Sequence, residues 1–306
     1  MRIVVASGKG GTGKTTVATS LALAAAEQAS VHVLDCDVEA PNAALFLRPT
    51  MEERKEVGIL LPVVDEAHCT YCGKCAEVCE YHAIAVIGKK ILIFPELCHG
   101  CGSCTLVCPE KAISERLDVM GVLERGATSA SVDFSQGVMN VGEPMAAPII
   151  RELKKWDVTP SLPGATTAKQ STSQTGGLLP EGRNDVEIRD SPPGASCPVV
   201  ETMRGADFAL LVTEPTPFGM HDLKQVISIA RELNLPAGVV INRDGIGNDA
   251  VEKYCAEHNL PILMRIPMER RFAEAIASGK TLVEAAPEYR AAFRVMLETI
   301  TARVTA

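Results

Sequence analysis

Ten consecutive residues near the N-terminus combine glycine, lysine and hydroxyl side chains in a spacing that suits phosphate binding. The stretch S-G-K-G-G-T-G-K-T-T covers residues 7–16, after a short apolar strand predicted at 3–6. An alanine-rich run at 17–27 follows and predicts a helix. Glycines let several backbone amides point at one anion, and the helix N-terminus adds partial positive charge. The sequence therefore predicts a phosphate-binding loop, with a glycine turn that holds no ligand as the alternative.

The pattern G-x-x-x-x-G-K-T within this stretch indicates a nucleoside triphosphate as the ligand. Gly8, Gly13, Lys14 and Thr15 occupy its defined positions. The Lys14 ammonium is expected to reach the β- and γ-phosphates of the nucleotide, and the Thr15 hydroxyl is expected to bind Mg²⁺. The other positions expected to contact the nucleotide are Gly10, Gly11, Thr12 and Thr16.

Eight of the eleven cysteines form a second candidate site, in two runs with the spacing C-x₂-C-x₂-C-x₃-C. In this spacing three thiolates of a run surround one [4Fe–4S] cluster, and the fourth ligates the other cluster. The first predicted cluster is therefore held by Cys69, Cys72, Cys75 and Cys108. The second is held by Cys98, Cys101, Cys104 and Cys79. A zinc site with four cysteine ligands is the alternative.

Residues 63–117 resemble a bacterial ferredoxin with two [4Fe–4S] clusters. Pro109 follows the second cysteine run as in that family, whereas Glu80 stands at this place after the first run. Apolar segments at 83–87 and 91–94 predict a small hairpin between the clusters. The resemblance implies that this part of the chain carries electrons.

The phosphate-binding loop itself resembles the deviant loop of the MinD, ParA and nitrogenase iron protein group, because it carries a second lysine, Lys9. In that group this lysine reaches across a dimer interface to the partner's nucleotide. The resemblance therefore implies a homodimer that depends on ATP. The segment Asp35-Cys36-Asp37, after a strand predicted at 31–34, resembles switch I, in which Asp37 would orient the attacking water. Helix capping is the alternative for both aspartates, and for Asp35 the two interpretations stay open.

Two later segments extend the resemblance. The run D-S-P-P-G at 190–194 resembles the Walker B and switch II region, which implies that Asp190 holds Mg²⁺ through water and that the Gly194 amide senses the γ-phosphate. Asn242 and Pro267 match the positions on the adenine side. Glu187 and Arg189 are unusual for a central parallel strand, which is normally apolar on both faces.

Repeated strand and helix patterns predict an α/β fold with a mostly parallel sheet flanked by helices, as in P-loop NTPases. We expect an ATPase domain at 1–62 and 118–306, interrupted by an inserted α+β ferredoxin-like domain at 63–117. A charged run at 52–56 predicts an exposed helix face, and residues 159–183 predict a flexible loop.

The last helix, 287–304, has an apolar stripe that predicts packing on the sheet, with a membrane-targeting helix as the alternative. The three remaining cysteines are expected to be free and buried: Cys36, Cys197 and Cys255.

Composition narrows the function classes. The net charge of −8 disfavours general binding of nucleic acid, and no apolar run or signal peptide indicates a membrane anchor or export, so we expect a cytoplasmic protein. Three functions fit the motifs: ATP-gated electron transfer to a redox partner, assistance in assembling or delivering a metal–sulfur cofactor, and a positioning ATPase with structural clusters. The chain lacks the C-terminal C-x-x-C of Mrp-like cluster carriers, which favours electron transfer.

Overall fold

A computed structural model describes residues 1–156 and 185–305, so the loop predicted at 159–183 lies outside the described residues. The strands in this part of the chain are β1 (Arg2–Ala6), β2 (Val31–Asp35), β3 (Thr50–Val64), β4 (Ile84–Val86), β5 (Ile91–Ile93), β6 (Ile113–Ala127), β7 (Val132–Met139), β8 (Val186–Asp190), β9 (Phe208–Thr213), β10 (Ala237–Asp244) and β11 (Ile262–Pro267). The α-helices are α1 (Lys14–Ala25), α2 (Ala43–Leu47), α3 (Lys74–Glu77), α4 (Ser103–Val107), α5 (Ala147–Lys155), α6 (Cys197–Met203), α7 (Pro217–Glu232), α8 (Ala250–Glu257), α9 (Arg270–Ala277), α10 (Leu282–Ala285) and α11 (Tyr289–Thr305).

One sheet of nine strands organises the described residues, in the order β11-β10-β9-β1-β8-β2-β7-β6-β3. All neighbouring pairs from β11 to β7 are parallel. Strand β6 is antiparallel to both β7 and β3, and β4 pairs with β5 in a separate antiparallel hairpin. The predicted α/β class with a mostly parallel sheet is therefore confirmed.

Helices cover both faces of the parallel part because its strands are apolar on both sides. On one face, α1 and α11 pack with strand residues such as Phe134 and Phe208. On the other face, α6, α7 and α8 pack around Leu211 and Ile241. The apolar stripe of α11 is buried in the first of these layers, which confirms the predicted packing on the sheet. None of the helices within residues 1–156 and 185–305 has the length and apolar character needed to span a membrane.

Strands β3 and β6 form a long antiparallel ribbon, paired from Thr50 opposite Ala127 to Val64 opposite Ile113. The helix predicted at 52–56 is wrong, because these residues lie in β3 and are exposed. The charges are explained by the place of β3 at the edge of the sheet, where charged side chains discourage pairing with another chain.

The ribbon leads into the segment that carries the eight clustered cysteines. This cysteine segment, residues 65–112, connects the end of β3 to the start of β6 and contains α3, α4 and the β4–β5 hairpin. The hairpin predicted from the apolar pattern is confirmed, with Ile84 opposite Ile93. The expected domain boundaries at 62/63 and 117/118 fall within the ribbon strands, so the change of local structure lies nearer residues 65 and 112.

Strand β8 accommodates its two charged residues through hydrogen bonds. The buried Arg189 side chain pairs through Nε with Glu187 Oε1 at 2.6 Å. Its Nη1 donates to the carbonyl oxygens of Thr202 at 3.0 Å and Arg204 at 2.9 Å, at the end of α6. A buried guanidinium is tolerated when it is paired and hydrogen-bonded. Arg189 therefore ties the central strand to the helix that follows switch II.

Candidate nucleotide site and cysteine quartets

A cavity of about 500 Å³ opens at the carboxyl ends of the parallel strands. This is the edge at which open α/β sheets bind ligands. Nine of the residues predicted for the nucleotide site line it: Gly10, Gly11, Gly13, Lys14, Thr15, Thr16, Asp37, Asn242 and Pro267. Its opposite wall is apolar and was not foreseen from the sequence: Phe46, Ile266, Met268, Phe272, Ile276 and Leu282.

The phosphate-binding loop is held in place by Asn242. Its Nδ2 donates to the Thr12 carbonyl oxygen at 2.7 Å, and its Oδ1 accepts the Arg243 backbone N–H at 2.9 Å. Gly13 caps α1 with a φ of 93°, and a Cβ at this position would lie 2.4 Å from Asn242 Nδ2. Both the left-handed conformation and the close approach therefore require glycine here.

The two buried aspartates at the strand ends have different surroundings. The Asp35 carboxylate accepts backbone N–H bonds from Asp37 at 3.1 Å and from Asn42 and Ala43 at 2.9 Å. Asp35 therefore fixes the loop at the start of α2, which supports its structural interpretation. Asp190 is 1% exposed, and neither of its carboxylate oxygens accepts a hydrogen bond from any described residue.

Burial and mutual repulsion determine the protonation of this site. Burial raises the pKa of Asp190, the charge of Asp35 raises it further, and Thr15 and Lys14 oppose the rise. Burial also raises the pKa of Asp37, against the attraction of Lys14. Burial lowers the pKa of Lys14, while Asp190 and Asp37 oppose the change. A hydrated Mg²⁺ between Thr15 and the unpartnered Asp190 carboxylate would neutralise this excess of buried negative charge, so the residues present fit the ion.

Each predicted cysteine quartet surrounds its own small cavity in the cysteine segment. One cavity is lined by Cys69, Cys72, Cys75 and Cys108. The other is lined by Cys98, Cys101, Cys104 and Cys79. In residues 1–156 and 185–305, no group of three or more His, Cys, Asp or Glu side chains is arranged to hold a single metal ion. The four thiols of each quartet are instead spread around the wall of a cavity.

The two quartets are built from two copies of one local pattern, offset by 29 residues. The first thiol of each copy accepts a backbone N–H two residues later, from Tyr71 to Cys69 at 3.4 Å and from Gly100 to Cys98 at 3.5 Å. The fourth thiol of each copy accepts one four residues later, from Ala83 to Cys79 and from Ala112 to Cys108. Such N–H···S bonds stabilise negatively charged sulfur, which fits cluster ligands.

Comparison with known proteins identifies the family of the domain that forms the nucleotide cavity. Residues 3–283 match the model of the CobQ/CobB/MinD/ParA nucleotide-binding domain. The chain belongs to this family. It is 28% identical over 291 residues to an uncharacterised protein of Methanocaldococcus jannaschii, covering 93% of this chain and 92% of that protein. It is 24% identical over 298 residues to an iron–sulfur cluster carrier protein of Pyrococcus abyssi, covering 92% of this chain and 79% of that protein.

Solved structures agree on the fold. The septum site-determining protein MinD of Pyrococcus horikoshii, in complex with Mg-ADP, superposes with a TM-score of 0.55 at 20% identity. The superposition covers 98% of this chain and 95% of that one. At this identity the likeness shows the MinD/ParA-type fold alone.

One feature of this MinD/ParA-type site was missed by sequence reasoning. Glu214 directly follows β9 and is buried between two cations. Its carboxylate pairs with Lys9 Nζ at 2.9 Å and with Arg243 Nη1 at 2.6 Å. Arg243 also lines the cavity and donates from Nη2 to the Gly11 carbonyl oxygen at 3.2 Å. The sequence could have indicated Glu214, because it directly follows a predicted strand, and the carboxyl ends of parallel strands lie at the same edge of the sheet as the phosphate-binding loop.

The remaining predicted residues lie beside the cavity without lining it: Gly8, Lys9, Thr12, Asp190 and Gly194. The Gly194 amide donates to the Ser7 carbonyl oxygen at 3.0 Å, which joins switch II to the phosphate-binding loop. Among the free cysteines, Cys36 and Cys255 are buried as predicted, but the prediction for Cys197 is wrong. Cys197 is exposed because it begins α6, whose buried residues come later in the helix.

Proposed function

We propose that this chain is an ATP-hydrolysing iron–sulfur protein in which nucleotide-driven changes of a homodimer are coupled to electron transfer through two [4Fe–4S] clusters. The observation that carries the proposal is the pairing of two sites in one framework. A MinD/ParA-type nucleotide cavity lies at the strand ends, and two cysteine quartets lie on a ribbon that extends the same sheet. A redox protein partner would receive or supply the electrons.

The geometry of the cavity and the family support the following roles. Lys14 binds the β- and γ-phosphates, and Thr15 with Asp190 holds hydrated Mg²⁺. Asp37, at the cavity surface, orients the attacking water. The Gly194 amide leaves the Ser7 carbonyl oxygen and contacts the γ-phosphate when ATP binds, and Lys9 reaches the partner's nucleotide. Support for the ligand comes from the Mg-ADP bound to the related fold of Pyrococcus horikoshii.

The adenine side of the cavity combines two predicted residues with the apolar wall. Asn242 and Pro267 lie next to Met268 and Phe272 on this side. An apolar surface with a few polar groups is typical of sites that bind small molecules, and a flat purine ring would fit such a surface. This arrangement supports a purine nucleotide, and the family resemblance supports ATP.

The cysteine quartets would hold clusters that supply one-electron chemistry when bound. The chain contributes eight thiolates and the backbone N–H groups that point at four of them. Hydrogen bonds to sulfur and exposure to solvent both tune cluster potentials. Cys72 and Cys101 are the exposed cysteines, one in each quartet, so each quartet has one ligand that is open to solvent.

A second candidate function is assistance in assembling or delivering a metal–sulfur cofactor. The likeness to the iron–sulfur cluster carrier protein of Pyrococcus abyssi favours it, and the exposed Cys72 and Cys101 offer the ligands that would exchange first. Under this function at least one cluster leaves the protein. Under electron transfer both clusters stay bound.

The first experiment tests for the iron–sulfur clusters and for nucleotide binding separately, on anaerobically purified protein. We expect about eight iron and eight sulfide per chain, and zinc in their place would refute the clusters. The Lys14→Ala variant should lose ATP hydrolysis, while Lys55→Ala, on the exposed edge strand β3, should keep it. Unchanged hydrolysis in Lys14→Ala would refute the nucleotide site.

A second measurement separates the two functions. Cluster reduction potentials and the rate of electron transfer to methyl viologen would be recorded without nucleotide, with Mg-ADP and with Mg-ATP. Electron transfer coupled to ATP requires a difference between these states. Equal values, together with transfer of iron and sulfide to an apo-ferredoxin, would favour the assembly function instead.

A further inference from the structure

We propose that the nucleotide state is transmitted to only one of the two cysteine quartets, the one formed by Cys98, Cys101, Cys104 and Cys79. The route is a buried apolar cluster between switch I, the ribbon and α5, called here the ribbon core. This inference rests on the proposed function, because it requires both a nucleotide and bound clusters. The quartet of Cys69, Cys72, Cys75 and Cys108 is expected to be insulated from the nucleotide.

The ribbon core begins on the back of the nucleotide site. Leu34, Cys36 and Val38 are buried in it and alternate along the chain with Asp35 and Asp37. Strand β2 ends at Asp35, and the loop that follows it places Asp37 in the lining of the nucleotide cavity. The same short segment therefore has a carboxylate at the nucleotide cavity and apolar side chains in the ribbon core. A shift of Asp37 on nucleotide binding must also move its neighbours in the ribbon core.

The ribbon core ends at the second quartet. Its ribbon members include Ile59 and Leu61 of β3, and Cys98 packs against it. The cavity of the second quartet is lined by Leu60 and Pro62 of the same strand. Strand β3 therefore contributes Ile59 and Leu61 to the ribbon core, while Leu60 and Pro62 line the cavity of the second quartet.

The contact between the second quartet and β3 is close enough to require glycine at position 100. Gly100 has a φ of 62°, and a Cβ there would lie 2.9 Å from Ile59 Cβ and 3.1 Å from the Leu60 backbone nitrogen. The equivalent residue of the first copy is Tyr71, which adopts a φ of 56° while carrying a full side chain. The local turn therefore tolerates a side chain, and the glycine is required by the close approach of β3.

The first quartet contacts the ribbon differently, through a small separate cluster in which Cys75 packs with Ile113 of β6 and Val64 of β3. Its cavity is lined by the Cys69–Cys75 turn, Ile91 and residues from Cys108 to Ile113. In the part of the chain that the structure describes, no member of the ribbon core lines this cavity. The two quartets are locally alike, so a nucleotide-dependent difference between them must come from what surrounds them.

Switch II has access to the same layer through α5. Helix α6 follows switch II, and its Glu201 pairs with Lys154 Nζ at 2.9 Å and with Arg151 Nη2 at 3.4 Å. The opposite side of α5 places Ile149 and Leu153 in the ribbon core. Tightly packed interiors transmit small displacements because they have little free volume. Both nucleotide-sensing segments therefore act on one apolar layer that ends at Cys98.

The test compares equivalent parts of the two copies in the full-length, cluster-loaded protein. Hydrogen exchange of the 98–104 peptide should change at least about threefold between the nucleotide-free, Mg-ADP and non-hydrolysable Mg-ATP-analogue states. Exchange of the 69–75 peptide should stay the same. In a redox titration followed by electron paramagnetic resonance, one cluster should shift its reduction equilibrium about tenfold, which is 59 mV for one electron. Cys101→Ser and Cys72→Ser would assign the two signals, because these exposed ligands occupy equivalent positions.

Matched variants probe the route itself. Ile59→Ala removes the side-chain atoms beyond Cβ from a member of the ribbon core and should abolish the exchange response of 98–104, with iron content and Mg-ADP affinity retained. Ile91→Ala, beside the first quartet, should leave that response intact. A wild-type protein that binds nucleotide and iron but responds equally in both copies, or in neither, would overturn the inference. Failure to bind nucleotide or iron would instead overturn the proposed function, and this inference with it.

Discussion

The nucleotide cavity takes its polar residues from segments at the ends of β1, β2, β10 and β11, which are far apart in the sequence. The cysteine quartets come from two short copies of one local pattern within a single segment. The cavity is therefore assembled by the order of strands in the sheet. The cysteine segment is assembled by its own turns and lies at the end of an antiparallel ribbon.

This difference implies different sources of stability. The cavity rests on three large layers of buried apolar residues that need no ligand. Among the described residues, the buried apolar cluster at the cysteine segment consists of Cys75 and Ile84 with Ile113 of β6, and partly buried aliphatic residues and cysteines pack around it. Segments this short rarely supply a sufficient core, and bound metal then provides folding free energy. The cysteine segment should depend on its clusters, while the cavity should not.

Removal of iron is the change with the largest expected effect. Anaerobic chelation should unfold residues 65–112 and increase their rate of proteolytic cleavage by roughly a hundredfold or more. The nucleotide-binding framework should remain folded and still bind Mg-ADP in calorimetry, because no residue of the cysteine segment lines its cavity. Cleavage sites would be mapped by mass spectrometry.

The control for this experiment is reconstitution with iron and sulfide, which should restore resistance to the protease. A cysteine segment that stayed resistant without iron would have a sufficient core of its own. The contrast between the two regions would then be wrong. Simultaneous loss of Mg-ADP binding would show that the two regions unfold together.

Asp190→Asn tests the region that the sheet assembles. We expect Mg-ADP affinity to fall roughly 10–100-fold, as is usual when a group that binds a metal through water is removed. The measurement is calorimetric titration with and without Mg²⁺. Asp249→Asn, at an exposed position, is the control. An unchanged Mg²⁺ dependence would exclude Asp190 from the metal site.

The same variant should change the pH dependence of the nucleotide-free protein. Because burial raises the pKa of Asp190 in the folded state, its contribution to stability is fully present below the unfolded value of about 4. That contribution is lost as the pH rises through the raised folded pKa. Asparagine does not ionise, so melting temperatures of Asp190→Asn should fall less than those of the wild type over this rise in pH.

The two regions also differ in how far the sequence predicts them. The phosphate-binding loop and both cysteine copies were predicted because their chemistry depends on local spacing. The β3–β6 ribbon was missed, since the charges at 52–56 have meaning only at a sheet edge. The contact of Glu214 with Lys9 and Arg243 depends on the order β10-β9-β1, which no local pattern contains. The need for glycine at Gly100 likewise depends on a distant strand.

The smallest predicted effect concerns the Glu214 carboxylate, which holds Lys9 within its own chain. If Lys9 moves to a partner's nucleotide, this ion pair must break first. Lys9 is 34% exposed in its side chain, so solvent screens the pair, and its loss should cost about 1 kcal/mol or less. Glu214→Gln should therefore strengthen ATP-dependent self-association by up to about fivefold in analytical ultracentrifugation. It should also lower the melting temperature, because Glu214→Gln removes the ion pairs with both Lys9 and Arg243.

Lys9→Ala provides the matched comparison, because it removes the other partner of the same ion pair. It should show a similar small loss of stability, but ATP-dependent self-association should disappear instead of increasing. If both variants weakened self-association equally, Glu214 would act by supporting the phosphate-binding loop through Arg243. The Lys9–Glu214 ion pair would then stabilise the cavity, and Lys9 would not leave Glu214 to contact the partner's nucleotide.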